Sequence, residues 1–209
     1  MRVATIIPAY NEEKTVGAVV AVAKRWNGAH EVIVVDDGSS DRTAEVARSA
    51  GARVITLREN VGKGGAMKAG AESTAADVVV FIDADLTGLR VEHLARLADP
   101  VLKGEADMTV GIFENGRLST DLAQKFAPFL SGQRAMLRRT LLEIPGLETT
   151  RYGVEMAISR HAEKEALRVL RVELEHLAQV TKEEKRGFWK GFQARMRMYW
   201  DIIRSTRGT

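Results

Sequence analysis

The stretch that decides the fold reads Val78-Val79-Val80-Phe81-Ile82-Asp83-Ala84-Asp85. A continuous apolar run of this length is typical of a strand that is buried on both faces, as in a parallel sheet. Charge is costly inside such a sheet, so Asp83 and Asp85 are expected where the strand leaves it. The carboxyl ends of the strands are where open α/β sheets bind ligands. Two carboxylates there can share a divalent cation such as Mg²⁺, or they can form a solvated strand exit with no ligand.

Short apolar segments alternate with amphipathic segments through the first half of the chain. Strands are predicted at residues 3–7, 31–35, 53–57, 78–82 and 107–112. Helices are predicted at residues 12–26, 42–50, 66–75 and 91–102. Strand–helix–strand units of this length join parallel strands through right-handed crossovers. The first 112 residues therefore predict a doubly wound, mainly parallel α/β sheet.

The pattern is looser after residue 112. Helices are predicted at residues 133–143, 152–160 and 184–204, and a strand at residues 168–174. The segment 114–130 is polar and has weak helical periodicity. We expect one α/β domain over residues 1–181, made of two halves, 1–112 and 113–181. A basic amphipathic C-terminal helix over residues 182–209 follows it.

The composition is that of an ordinary globular chain. With 209 residues, of which 45% are hydrophobic and 28% charged, the chain suits one compact domain. It contains no cysteine, which excludes a disulfide framework and a thiolate metal site and fits a reducing compartment. The apolar stretch at the N-terminus is too short for a signal peptide. No run approaches the roughly 18 apolar residues of a membrane span. The expected location is cytoplasmic, which the absence of cysteine fits.

Charge is unevenly distributed along the chain. Residues 182–209, which we call the tail, contain eight Lys/Arg and three Asp/Glu, while the whole chain has a net charge of +3. The body is therefore slightly acidic, which argues against nucleic acid as a partner. An apolar stripe in the tail comprises Phe188, Phe192, Met196, Tyr199 and Ile203. The tail is expected either to pack on the domain or to lie at the inner face of an anionic membrane.

Four predicted strands end in polar or glycine-rich residues. Asn11 follows the first, Asp36 and Asp37 the second, the loop 62–65 the third, and Asp83 with Asp85 the fourth. These groups would share one crevice at the carboxyl edge of the sheet. The first strand is not followed by G-x-G-x-x-G, and the chain has no G-x-x-x-x-G-K-[ST]. The missing motifs argue against a nicotinamide-dinucleotide site and indicate that the chain is not a P-loop NTPase. A nucleotide bound through its base, its ribose and a metal-bridged diphosphate remains.

The same edge carries four motifs. They read Pro8-Ala9-Tyr10-Asn11-Glu12-Glu13, Val34-Val35-Asp36-Asp37-Gly38-Ser39-Ser40-Asp41, Asn60-Val61-Gly62-Lys63-Gly64-Gly65-Ala66 and Asp83-Ala84-Asp85-Leu86. In order and spacing they resemble the family 2 glycosyltransferases, which have a GT-A fold. Two later motifs, Ser131-Gly132-Gln133-Arg134-Ala135 and Tyr152-Gly153-Val154-Glu155, are similar to those of glucosyl-3-phosphoglycerate synthases and polyprenyl-phosphate sugar transferases.

The resemblance implies a metal-dependent enzyme. It would transfer a sugar from a UDP- or GDP-linked donor to a phosphate-bearing acceptor, either a polyprenyl phosphate or a small phosphorylated metabolite. The first half, residues 1–112, would bind the nucleotide sugar, and residues 113–181 would bind the acceptor. A non-catalytic module that binds a nucleotide sugar without transferring it is the alternative. A homodimer is an expected assembly, and inversion or retention at the sugar is left open.

The resemblance also implies donor-side roles. The expected nucleotide-sugar-binding residues are Pro8, Tyr10, Glu12, Asp36, Asp37, Lys63, Asp83, Ala84 and Asp85. Pro8, Tyr10 and Glu12 would line the base and ribose pocket, and either Asp36 or Asp37 would accept a hydrogen bond from the base. Lys63 would reach a base carbonyl or a phosphate. Three residues have structural alternatives. Glu12 also suits a helix N-terminus, Asp41 suits a helix cap, and the alternative for Lys63 is an ordinary solvated lysine.

The acceptor side and the metal depend on the later motifs. Glu155 would act as a general base on an acceptor hydroxyl, or it would only position the acceptor. Arg134 and Tyr152 would contact the acceptor, and Arg134, Arg138 or Arg151 would pair with its phosphate. Asp83 and Asp85 would hold Mg²⁺ or Mn²⁺, which offsets charge on the leaving diphosphate. The third metal ligand would be His176, with Gln179 as the alternative.

Overall fold

The computed structural model describes residues 1–113, 131–150 and 153–179. The strands are β1 Val3–Ala9, β2 Glu31–Asp36, β3 Arg53–Thr56, β4 Val78–Phe81, β5 Leu86–Thr87, β6 Met108–Phe113, β7 Arg134–Leu137, β8 Val169–Leu174 and β9 Ala178–Gln179. The helices are α1 Val16–Arg25, α2 Thr43–Ser49, α3 Lys63–Glu72, α4 Val91–Leu102, α5 Arg138–Leu142 and α6 Val154–Lys164. A 3₁₀ turn lies at Leu147–Thr149.

Seven strands form one mixed sheet in the order β3-β2-β1-β4-β7-β6-β8. Neighbours from β3 to β4 are parallel, β7 is antiparallel to both β4 and β6, and β8 is parallel to β6. The predicted doubly wound, mainly parallel sheet is therefore confirmed. Since β1, β2 and β4 run parallel, their carboxyl ends meet at one edge. There the register places Ala9 opposite Asp36.

Apolar side chains cover both faces of the sheet because successive strand residues point to opposite sides. Val3 and Ile7 of β1 share a core cluster with residues of α1, α2 and α4. Ala4 and Ile6 of the same strand share the other cluster with residues of α3, α5 and α6. The chain is thus a three-layer α/β structure whose central strands are buried on both faces. This burial explains the unbroken apolar run of β4.

The helix predicted at residues 133–143 is wrong over its first half. Residues Arg134–Leu137 form β7, and only Arg138–Leu142 form a helix, α5. Ala135 and Met136 are fully buried between β4 and β6. A short segment buried on both faces has no alternation of apolar and polar residues. Periodicity alone therefore cannot separate a strand from a helix there.

The chain divides into a compact unit, Met1–Ala178, and a second unit, Gln179–Thr209, nearly all of which lies outside the described residues. Outside them also lie the helix predicted at 184–204, the polar segment 114–130 and the predicted domain boundary at residue 181. Among the described helices, none combines the length and apolar content needed to span a membrane.

Candidate active site

The loops that follow β1 and β2 are joined by hydrogen bonds. Asn11 has a left-handed backbone, with φ of 54°, and its amide donates to Ser39 Oγ at 2.9 Å. Asn11 Oδ1 in turn accepts from the Ser40 amide at 2.9 Å. Asparagine tolerates this backbone conformation better than most residues. These hydrogen bonds therefore hold the two loops together as one wall of the site at the carboxyl edge of the sheet.

Further along the same wall, Glu12 is buried and its amide donates to Thr43 Oγ1 at 2.8 Å. Asp41 Oδ1 accepts from the Thr43 amide at 3.0 Å, and Asp41 Oδ2 accepts from the Glu13 amide at 3.2 Å. These bonds satisfy amides around the start of α2. They favour the structural interpretation of Asp41 as a residue that organises the start of the helix.

Tyr10 and Pro8 have different exposures at the end of β1. Tyr10 is 49% exposed, while Pro8 is only partly buried beside it. An exposed aromatic ring at a ligand-binding edge offers a face on which a flat base can stack. This placement fits the predicted base pocket.

The two carboxylates after β2 are both buried and have different partners. Asp37 accepts hydrogen bonds from the amides of Val61 and Gly62, at 2.8 and 2.9 Å, so each of its oxygens is used by the glycine-rich loop. Asp36 Oδ1 accepts from the Ser39 amide at 3.1 Å. Asp37 therefore shapes the loop that carries Lys63. Of the two predicted base-binding carboxylates, Asp36 remains the better placed.

Lys63 stands at the centre of the site. It opens α3, three residues earlier than the predicted helix start. Its Nζ lies 2.6 Å from Asp83 Oδ1 and 2.8 Å from Glu155 Oε1. Burial by itself would lower the pKa of the Lys63 ammonium. The two carboxylates raise this pKa by more than burial lowers it, so the pKa lies above its ordinary value. Lys63 is thus a permanent cation that joins a predicted donor residue to a predicted acceptor residue.

Asp83 is held from its other side by Gln133. Gln133 Nε2 donates to Asp83 Oδ2 at 2.9 Å, and Ser131 Oγ donates to Gln133 Oε1 at 3.1 Å. Gly132 is required between them. A Cβ there would lie 2.3 Å from Lys63 Nζ and 2.5 Å from Asp83 Oδ2. The segment Ser131–Gln133 therefore closes over the ion pair.

Arg134 is placed differently from the prediction. It is fully buried in β7, where its Nε donates to the Ser131 carbonyl at 2.9 Å and its Nη1 to Ser159 Oγ at 3.3 Å. Burial lowers the pKa of Arg134 to about 10, against the opposing effect of the Glu155 and Asp83 carboxylates. A side chain without exposed surface cannot pair with an incoming phosphate in this conformation. Arg134 instead supplies positive charge beneath the site.

Glu155 lies in the first turn of α6, as predicted, and its side chain is 17% exposed. The α6 backbone is tied to Arg134 through Ser159, whose hydroxyl donates to the Glu155 carbonyl at 2.8 Å. Of the other predicted acceptor contacts, Tyr152 and Arg151 lie outside the described residues. Arg138 is occupied, since its Nε donates to the Ala71 carbonyl at 2.7 Å.

The predicted metal triad of Asp83, Asp85 and His176 is not assembled. Among the described residues, no group of three or more His, Asp or Glu side chains is arranged to hold a metal ion. Asp83 is paired with Lys63 and Gln133, as described above. Asp85 is half-buried at the strand exit. The Gln179 side chain lies outside the described part of the chain.

His176 is nevertheless carried close to this exit. It is exposed, has a left-handed φ of 58° and lies two residues before β9, which pairs with β5 just after Asp85. A Cβ on Gly88, beyond β5, would lie 2.2 Å from the His176 carbonyl. Mg²⁺ is commonly held by one or two carboxylates together with substrate phosphates. The carboxylates at this exit therefore fit an ion that is shared with a diphosphate.

Three contributors to the site were missed in the sequence. Gln133 and Ser131 lie within a quoted motif, but only Arg134 was assigned from it, and Ser159 was not singled out. The signal in the sequence was the segment Ser131-Gly132-Gln133, which contains two polar residues directly before a buried strand. It pointed to the motif but not to the member that contacts Asp83.

The sequence profile described as "Glycosyl transferase family 2" matches residues 4–166. The chain belongs to glycosyl transferase family 2. It is 29% identical over 194 residues to the glucosyl-3-phosphoglycerate synthase of Mycobacterium tuberculosis (strain ATCC 25618 / H37Rv), covering 75% of this chain and 59% of that protein. It is 34% identical over 125 residues to the undecaprenyl-phosphate 4-deoxy-4-formamido-L-arabinose transferase of Pseudomonas paraeruginosa, covering 55% and 36%.

A solved structure of the Mycobacterium tuberculosis glucosyl-3-phosphoglycerate synthase superimposes on this family 2 chain with a TM-score of 0.72 at 27% identity. The match covers 88% of this chain and 74% of that one, and the structure contains Mn²⁺, UDP and glucosyl-3-phosphoglycerate. The resemblance to family 2 and the GT-A fold are thus confirmed. The chain spans between 26% and 59% of the length of the curated relatives it matches first.

Proposed function

We propose that the chain is a metal-dependent glycosyltransferase that transfers a sugar from a nucleoside-diphosphate sugar to a phosphate-bearing acceptor. The observation that carries this proposal is the contact of Lys63 with both Asp83 and Glu155 at the carboxyl edge of the sheet. It brings a residue of each expected substrate site within one ion-paired cluster. A protein that only stored a nucleotide would have no need of the second carboxylate.

On the donor side, Tyr10 and Asp36 would bind the base, and Lys63 would contact the diphosphate. UDP is the favoured nucleotide because the similar synthase structure contains UDP with Mn²⁺. Asp85 would be the main protein ligand of Mg²⁺ or Mn²⁺, with His176 near it. When bound, the ion would offset the charge that develops on the departing diphosphate.

On the acceptor side, Glu155 would orient a hydroxyl or accept its proton. Glu155 Oε1 is occupied by the Lys63 ammonium at 2.8 Å, so this oxygen would reach an acceptor hydroxyl only when the ammonium turns towards the donor phosphates. An acceptor that arrives as an ionised phosphate would not need this base. The similar proteins cover both cases, since one is named for phosphoglycerate and the other for undecaprenyl phosphate.

For its setting, we propose a cytoplasmic protein whose basic tail contacts the inner face of the membrane, and a homodimer is its proposed assembly. The support for membrane contact is the net charge of +5 on residues 182–209 beside Trp189, Tyr199 and Trp200.

The test begins with a panel of UDP and GDP sugars, screened for thermal stabilisation with and without Mn²⁺, since a ligand bound only by the folded state raises stability. The stabilising donor is then incubated with 3-phosphoglycerate or with undecaprenyl phosphate, and the products are read by mass spectrometry. We expect a UDP sugar to stabilise only with metal and to be transferred to one of the two acceptors. Stabilisation without transfer to any phosphorylated acceptor would favour the binding module.

A further inference from the structure

Gln133 is enclosed beneath the site. Its side chain has no exposed surface, and it lies between Ser131 and Asp83. The Ser131 hydroxyl donates to the carboxamide oxygen, which leaves the carboxamide nitrogen to donate to Asp83. An ionised carboxylate only accepts hydrogen bonds, so this orientation of the amide is the one that satisfies both partners.

The hydrogen bond from Gln133 sets the direction of the Asp83 carboxylate. With Oδ2 held at 2.9 Å by Gln133, Oδ1 faces Lys63 at 2.6 Å. The ammonium then reaches Glu155 Oε1 at 2.8 Å. Contacts at both oxygens oppose rotation of the Asp83 carboxylate, and the lysine is oriented by the two carboxylates that it contacts. The chain of contacts runs from a buried amide to the predicted acceptor side.

We propose that Gln133 is a positioning residue. Its buried carboxamide fixes Asp83, and through Asp83 it fixes the Lys63 ammonium that spans to Glu155. The effect of Gln133 on transfer rests on the proposed function, but its effect on the cluster does not. The inference can therefore be tested in the protein without substrate.

The first test is a reversal of donor and acceptor between the two residues. Gln133→Glu places two carboxylates face to face, and Asp83→Asn places two amides in contact. The double substitution restores one donor and one acceptor, keeps an acceptor for Lys63, and leaves the net charge of the cluster unchanged. We expect each single substitution to lower the folding equilibrium constant about ten- to a hundredfold, since a hydrogen bond to a buried charge is lost.

The double variant should recover most of that loss, as measured by urea unfolding at neutral pH. Strictly additive losses would overturn the proposal, because the two side chains would then contribute independently. Recovery in the double variant would support it. Neither outcome depends on a sugar donor or a sugar acceptor being present.

The second test reads Lys63 itself. In protein labelled with ¹⁵N-lysine, the ammonium signal of Lys63 is identified by its loss in Lys63→Met. We expect Gln133→Leu to shift this signal and to speed its exchange with water. The signal of the half-buried Lys68, which is paired with Glu148, should stay unchanged as the control. An unmoved Lys63 signal would show that Gln133 has only a packing role.

The third test concerns turnover and uses the donor found for the wild type. Gln133→Leu should lower kcat/KM about ten- to a hundredfold, whereas Thr149→Val, at an exposed position of the 3₁₀ turn, should not. If the wild type transfers no sugar, the proposed function fails and the first two tests still decide the role of Gln133. If the wild type is active and Gln133→Leu is equally active, the positioning role is overturned.

Discussion

Lys63 contacts one carboxylate from each half of the predicted site, and this double contact changes what a substitution there should do. The sequence places Lys63 in a glycine-rich loop and predicts that it reaches a base carbonyl or a phosphate. In the structure its side chain is 28% exposed and separates two carboxylates that are 12% and 17% exposed. Removing the ammonium would leave two negative charges close together with little water. Lys63 is therefore expected to matter for the fold as well as for the nucleotide.

Lys63→Met should lower the free energy of unfolding by about 1–3 kcal/mol, less than for a fully buried pair because water reaches the site. The pKa of Lys63 is raised in the folded state, so its contribution is fully present below the unfolded value of about 10.4. It is lost as the pH rises from there through the folded pKa. Urea unfolding should therefore show a constant gap to wild type from pH 7 to 9 that shrinks above pH 10.

The matched control is Lys68→Met, which breaks the exposed pair with Glu148. It should change the unfolding midpoint little and leave the affinity for UDP unchanged, whereas Lys63→Met should weaken UDP binding. Equal stability losses in the two variants would contradict the special position of Lys63.

The substitution Asp85→Ala tests whether Asp85 is a ligand of the metal ion. Asp85 is half-buried at the strand exit and is a predicted ligand of the ion, which this substitution would remove. The variant should lose at least about tenfold in Mn²⁺-dependent UDP affinity, as expected when a charge-assisted contact is removed. Calorimetry with and without Mn²⁺ measures this, with the exposed helical Asp99→Ala as control. A variant that binds UDP as tightly as wild type in Mn²⁺ would refute the assignment.

Single residues also show where sequence reasoning stops. The motifs placed Lys63, Asp83 and Glu155 at one edge, but nothing in a sequence indicates that residues 63 and 155 touch. Arg134 has the residue type of a phosphate contact, and only tertiary packing reveals that it is buried. A residue type reports its chemistry, whereas exposure and direction come from the assembled fold.

At the scale of elements, the segment Ser131–Gln133 leads into β7 and closes the site. Gly132 is needed for steric reasons alone, because the atoms within reach of its missing Cβ are the ends of the Lys63 and Asp83 side chains. Those side chains can move aside, so the fold can tolerate a methyl group that the ion pair cannot. A substitution at Gly132 should therefore reduce activity much more than it reduces stability.

Gly132→Ala should therefore lower transfer strongly, about tenfold or more as charge-assisted contacts separate, while the melting temperature falls by only a few degrees. Gly64→Ala is the contrasting variant, since its Cβ would lie 2.2 Å from the backbone carbonyl of Leu147, which cannot move easily. It should melt much earlier. Circular dichroism melts and initial rates on both variants test this contrast, and a large loss of stability in Gly132→Ala would contradict it.

The elements were predicted well where strands and helices alternate and poorly where they do not. The helix over Val91–Leu102 was placed correctly at both ends, since its apolar residues recur at helical spacing. The sequence predicts a helix where β7 forms, because this strand is short and buried on both faces. Its pairing partners come from distant parts of the chain, and sequence spacing carries no record of them.

At the scale of the whole molecule, charge separates the tail from the rest of the chain. The tail has a net charge of +5, whereas the other 181 residues are slightly acidic. Each basic residue near an anionic surface contributes on the order of 1 kcal/mol, and salt screens this attraction. A membrane role for the tail would thus be strongly dependent on salt.

The full chain should sediment with vesicles that contain anionic lipid at low salt and should be partly released at high salt. Neutral vesicles are the matched control, and replacement of Trp189, Trp200, Lys190 and Arg197 together should abolish binding. If the wild type does not bind the vesicles and Trp189→Ala has a much lower melting temperature, the tail belongs to the hydrophobic core. Emptying a buried aromatic site costs roughly 3–5 kcal/mol. A soluble phosphorylated acceptor would then be favoured.

The position of β7 has a consequence for the growing chain on the ribosome. The strands β1, β2, β3 and β4 are neighbours in the sheet, so they can pair as soon as they are made. β6 is different, because its two neighbours, β7 and β8, are both synthesised later. Until then its residues Met108–Phe113 have two open edges and an apolar sequence, which is a template for wrong pairing with other chains. We therefore expect the nascent protein to be most prone to aggregation after residue 113 and before residue 137 has emerged.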